Sequence, residues 1–132
     1  MLRRLRLLVL LGATACLGPE VPSLVTGEWG GAHLGLVATV QGADLEYDCA
    51  VGRIDEPIRP DGEGRFSVTG VHFPGHGGPV PPGAEIEEHP ARYTGVVRGD
   101  HMTLSVTLTD SGTNLGTFTL IRGGSPFVLK CL

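Results

Sequence analysis

The stretch ARYTGVVRGDHMTLSVTLT, residues 91–109, decides how the chain is read. Met102, Leu104, Val106 and Leu108 fall on one side of an alternating run, and Thr103, Ser105, Thr107 and Thr109 on the other. Successive side chains of an extended backbone point to opposite faces, so a period of two over this length predicts a half-buried strand. Gly99 and Asp100 separate this run from the one before it, and a Gly/Asp pair in that position predicts a tight hairpin turn. Two antiparallel strands with one apolar face follow.

The same pattern extends in both directions. HLGLVATV (33–40) places Leu34, Leu36, Ala38 and Val40 on one side. After a QGAD turn, LEYDCAV (45–51) places Leu45, Tyr47, Cys49 and Val51 on one face and Glu46 and Asp48 on the other. DGEG (61–64) is a turn before RFSVTGVHF (65–73), and DSGTN (110–114) is a turn before LGTFTLIRG (115–123). PFVLKCL (126–132) reads as a last strand. About seven strands and no helix result. An apolar sheet face must be buried, which predicts an all-β antiparallel meander, closed or nearly closed into a barrel, with a β-sandwich as the alternative. An additional strand would complete an eight-stranded barrel. With seven aromatic residues in the chain, Leu, Val and Ile form most of the core.

Composition sets outer limits. The 132 residues suit one domain, and twenty-one glycines and ten prolines point to many turns. Ten Lys and Arg stand against fourteen Asp and Glu, which argues against a nucleic-acid partner, because phosphate binding needs a basic footprint.

Arg3, Arg4 and Arg6 precede the apolar run LLVLLGATA, giving the charged, apolar and small-residue parts of a secretory signal peptide over residues 1–15. The run is shorter than the roughly 20 residues a membrane-spanning helix needs. Cleavage after Ala15 removes three arginines and no acid, so the net charge moves from −4 to −7. Ala13-Thr14-Ala15 fits the small-x-small rule of ordinary signal cleavage, the alternative in which Cys16 stays a free thiol and the protein is secreted or periplasmic. Ala13-Thr14-Ala15-Cys16 also resembles a bacterial lipobox, with Ala13 where the family usually carries leucine. That resemblance implies that Cys16 is lipidated and becomes the new N-terminus, and that the protein is held to a membrane through a lipid anchor. Leu17 follows the cysteine where an aspartate would resemble an inner-membrane retention signal, which implies the outer membrane of the bacterial envelope. Residues 16–27 then form anchor and tether, and 28–132 the β-domain. A secreted chain with three cysteines leaves one thiol over. With Cys16 carrying lipid, Cys49 and Cys131 remain to form one disulfide.

Thr26-Gly27-Glu28-Trp29 carries a Gly-x-Trp, which resembles the opening of the calycin group, the lipocalins, avidins and fatty-acid-binding proteins. The resemblance implies that Trp29 closes one barrel end with a late basic residue, Arg122, lying across it. A single tryptophan does not furnish an avidin-type ligand site, so biotin is not implied.

The loop PGHGGPVPPGAEIEEHP, residues 74–90, carries five prolines and four glycines and reads as a long surface insertion. His72 and His76 are spaced His-x3-His, and His89 or Glu87 could complete a zinc-type ligand set from the same loop. Glu85, Glu87 and Glu88 read as a solvated acidic stretch. DGEG lacks the ligand ladder of a calcium loop. No nucleophile elbow, phosphate loop or zinc-ribbon cysteine pair occurs, and Ser67, Ser105, Ser111 and Ser125 have no acid–base context. The expectation is a protein with no catalytic residues and no cofactor: an exported, lipid-anchored binding or envelope-structural module. A carrier of a small apolar ligand and a His-loop metal-binding module are the other readings.

Overall fold

An antiparallel sheet with one apolar face is stable only when that face is covered. The computed structural model describes Gly12 and residues 20–132, and in it the sheet covers its own apolar face by closing into a barrel. The eight strands are β1 (Gly27–Gly31), β2 (Leu34–Ala38), β3 (Ala43–Tyr47), β4 (Ala50–Ile54), β5 (Arg65–Pro74), β6 (His89–Arg98), β7 (His101–Leu108) and β8 (Asn114–Arg122). Each pairs antiparallel with the next, and β8 returns to β1 through Trp29↔Arg122 and Gly30↔Ile121. The meander holds and the sandwich alternative does not.

The 91–109 hairpin forms as the alternation requires. Ala91 to Arg98 pair with Leu108 to His101, and Gly99 turns the chain with a φ of 56°. Met102, Leu104 and Val106 are at most 1% exposed, in a core they share with Trp29, Tyr93, Leu34, Leu36, Ile54 and Leu120.

The antiparallel course gives the barrel two unlike ends. The β2–β3, β4–β5 and β6–β7 connections lie at one end, with residues 20–26 packed against it. Val25 and Ile58 are fully buried there, the Val25 amide donates to the Ile58 carbonyl at 2.9 Å, and the Gly99 amide donates to the Glu20 carbonyl at 2.7 Å. This is the closed end. Residues 20–26 were expected as tether, yet the burial of Val25 makes them part of the folded body. The β1–β2, β3–β4 and β7–β8 turns and the long β5–β6 loop lie at the opposite, open end.

Three local readings are corrected. LEYDCAV is two strands, with a two-residue turn at Asp48–Cys49 between the Tyr47↔Ala50 pair. Cys49 sits in that turn with a φ of 50°, off the inward face it was expected to share, and Val51 is half exposed on the outer wall. Tyr47 and Ala50 are opposed and share the inward face, so the two-residue turn shifts the inward positions from odd to even, and the apolar Cys49 and Val51 made the old alternation look continuous. PFVLKCL is an irregular strap, and the eighth strand is GEWGG at the start of the barrel. The strap leaves β8 at the closed end and crosses the outside of β1–β3. Phe127 exchanges main-chain hydrogen bonds with Gly31 and His33, and the Cys49 amide donates to the Leu129 carbonyl at 2.9 Å. It lies flat because Gly35 has no side chain: a β-carbon there would stand 2.9 Å from the Pro126 ring. At its end Cys131 is disulfide-bonded to Cys49, with α-carbons 4.6 Å apart.

Candidate functional site

The interior is filled at the closed end and hollow at the open one. Gly52, on the inward face of β4, leaves room for two tyrosines from β3 and β6; a β-carbon there would come within 2.7 Å of both hydroxyl oxygens. The Tyr47 hydroxyl donates to Tyr93 at 3.1 Å, and the Tyr93 hydroxyl donates to the Val71 carbonyl at 3.0 Å. Burial raises the titration of both phenols, so both stay protonated. Above this pair opens a cavity of about 460 Å³, with Tyr47, Ala50, His72, Pro74, Leu115 and Phe118 in its wall and His33, Asp48 and Cys49 at its edge. That volume lies within the range of small-ligand pockets.

Phe118 faces inward by strand parity. Leu115 does so through a bulge: Val106 pairs with Gly116 and Thr107 with Asn114, so Leu115 is the extra residue on β8. His72 continues the inward series Phe66, Val68, Gly70 of β5 and is 7% exposed. Its ring meets Tyr47 edge-on at 5.4 Å, and Tyr47 meets Phe118 at 6.1 Å. His72 Nδ1 is buried without a hydrogen-bond partner. Burial, reinforced by the charge of nearby His89, holds the ring below the ordinary imidazole value and therefore neutral.

His89 stands opposite His72 in the β5–β6 register. Its Nδ1 lies 2.7 Å from Asp110 Oδ2 and its Nε2 lies 2.9 Å from Glu87 Oε1. Ionised carboxylates only accept, so both ring nitrogens carry protons and the group is an imidazolium. Asp110 first, and Glu87 second, raise its titration above the usual value. On the other side of the mouth, His33 Nδ1 pairs with Asp48 Oδ2 at 2.5 Å, and the Leu129 amide donates to Asp48 Oδ1 at 2.7 Å. The Leu129 amide is the main reason that Asp48 is held below the usual carboxylate range. Lys130 pairs with Glu46 beside it.

The expected histidine ligand set is not assembled. His72 is in the wall, His89 has both nitrogens bound to carboxylates, and His76 is exposed on the loop. Among the described residues no three His, Cys, Asp or Glu groups come together as a metal site. The reason is strand parity and pairing: the wall fixes where His72 points, while Pro74 and Gly75 carry His76 away from it. Glu85 and Glu88 are exposed, as an acidic surface stretch should be.

At the closed end Trp29 is 1% exposed and donates from Nε1 to the Thr26 carbonyl at 3.1 Å. The Arg122 guanidinium lies 4.6 Å from the centre of the Trp29 ring and pairs with Asp100 at 3.4 Å. Cys16 and the preceding signal lie outside the described residues; among those described, no helix is long and apolar enough to cross a membrane.

Comparison with protein-family models, with curated proteins and with solved structures finds no match. The site therefore stands on its own geometry. Sequence reading missed its centre, which is the cluster of the Tyr47, His72 and Phe118 rings with the bulged Leu115. The inward parity of Tyr47, His72 and Phe118 was legible in their strands. Their meeting required the register of β3, β5 and β8.

Proposed function

We propose that this chain is an exported, lipid-anchored barrel that binds a small ligand of largely apolar character in its open end and performs no catalysis. The observation that carries the reading is the cavity of about 460 Å³ between Tyr47, His72, Leu115 and Phe118. Its position supports the anchor as well. Residues 20–26 reach the barrel at the closed end, so a lipid on Cys16 places the cavity on the side facing away from the membrane. The contact of Arg122 with Trp29 at the closed end supports a calycin-like arrangement in which one end is sealed and the other receives ligand.

Two experiments test the two halves. Mass spectrometry of the membrane fraction is expected to find an N-terminal peptide beginning at acylated Cys16; an unmodified thiol there overturns the anchor. A neutral apolar dye, N-phenyl-1-naphthylamine, is expected to brighten on adding the protein and to stay dim with Leu115→Trp, which fills the cavity. No brightening with the wild type, or equal brightening with both, overturns the cavity reading.

A further inference from the structure

Resting on that cavity reading, we infer that the preferred occupant is a small organic cation, a protonated amine on an aromatic or aliphatic body. The cavity is supplied with acceptors: the Asp48 carboxylate is part of its lining, paired with His33 on one side, and the phenol pair beneath offers lone pairs. The Val71 carbonyl accepts from Tyr93, so the Tyr93 proton is committed there. The Tyr47 proton is then committed to Tyr93, and the Tyr47 oxygen has only lone pairs left to offer. His72, 7% exposed, brings a neutral imidazole with an unpartnered ring nitrogen. The Tyr47 and Phe118 rings line the cavity, and aromatic rings attract a cation over their faces.

Charge at the mouth points the same way. Glu46 and Asp48 on the β3 side, Glu85, Glu87 and Glu88 on the β5–β6 loop and Asp110 in the β7–β8 turn surround the open end. Against these six carboxylates stand Lys130, paired with Glu46, and Arg53 on the outer wall, paired with Asp55 and near Glu88. The rim histidines His33 and His89 are bound to carboxylates, and His76 lies on the exposed loop. A mouth of this sign raises the local concentration of cations and repels anions.

The test uses three probes with one aromatic body: benzylamine, cationic at pH 7, benzyl alcohol, neutral, and benzoate, anionic. Calorimetric titration of the whole mature domain is expected to show benzylamine binding about tenfold more tightly than benzyl alcohol, with benzoate weakest. Raising the salt concentration narrows the gap. Phe118→Leu lowers benzylamine affinity several-fold, and Leu115→Trp abolishes it, while both variants keep the wild-type circular dichroism. Equal affinity for all three probes overturns the cation preference and leaves the cavity reading standing. Benzylamine binding that neither variant alters belongs to the acidic surface and also overturns the inference. No binding of any probe, together with a dye that does not brighten, removes the inference and the cavity together.

Discussion

Replacing Cys131 with serine removes the bond between the strap and the β3–β4 turn. The two cysteines are 82 residues apart in the chain, and β4 to β8, five of the eight strands, lie inside the loop they close. In the folded protein the strap keeps its other ties: the Phe127 bonds to Gly31 and His33, the Leu129 bonds to Cys49 and Asp48, and Pro126 over Gly35. The loss therefore falls mainly on the unfolded chain, which gains freedom, and a loop of this length corresponds to about 4 kcal/mol in the chain-entropy account. A domain of this size unfolds with an entropy of roughly 0.2 kcal/mol/K, so Tm should fall by about 15–20 °C. The assay is thermal unfolding followed by circular dichroism on the oxidised wild type, the reduced wild type, Cys131→Ser and Cys49→Ser/Cys131→Ser. Cys49 has a positive φ, and serine there carries the same backbone strain, so the double variant adds no new conformational penalty. Spectra at 25 °C should coincide. A fall in Tm below about 5 °C in all three perturbed forms would refute the reasoning, because constraint of the unfolded chain is then too small to matter.

The Glu87–His89–Asp110 clasp titrates with a definite sign. The folded His89 value lies above the ordinary 6.5, so the stability it adds is complete below about that pH and disappears as pH rises through the folded value. Asp110 is lowered by the same contact, so its share is lost as pH falls through its folded value. Melting wild type against His89→Gln should therefore show a difference that is largest in mildly acidic solution; a difference independent of pH would contradict the clasp. Gly52→Ala drives a methyl into both tyrosine hydroxyls and should cost about 1–3 kcal/mol in urea unfolding, while Gly62→Ala, with nothing within 4 Å, should cost far less. Trp29→Ala should cost about 3–5 kcal/mol. Arg122→Ala should cost about 0.5–1 kcal/mol. The double variant should cost less than their sum, and strict additivity would show that the 4.6 Å contact carries no energy.

Much of the fold was legible because strand periodicity is a local property. Met102 to Leu108 and Phe66 to His72 announce their faces in the sequence, and turn residues such as Gly99 mark where the chain reverses. The errors came where periodicity is blind. The two-residue turn at Asp48–Cys49 shifts the alternation by one, and the apolar Cys49 and Val51 at the old inward positions hid the shift, so two strands read as one. GEWGG has too few large side chains to display a pattern, and it forms a strand because β2 and β8 offer it hydrogen bonds on both sides. PFVLKCL has the composition of a strand, yet it forms a strap, since β1 and β8 had already closed the sheet.

By itself the sequence determined that this chain makes an antiparallel β-body with an inward row of Leu, Val and aromatic residues, and that its two later cysteines are available to each other. Those properties depend on neighbours one or two residues apart, or on simple counting. Only the tertiary structure decided that the sheet closes, that one end is filled by Val25, Ile58 and Trp29, and that the other is left open between Tyr47, His72, Leu115 and Phe118. Closure and cavity depend on register and on one bulge in β8, and a register is a relation between strands far apart in the chain that no single strand encodes.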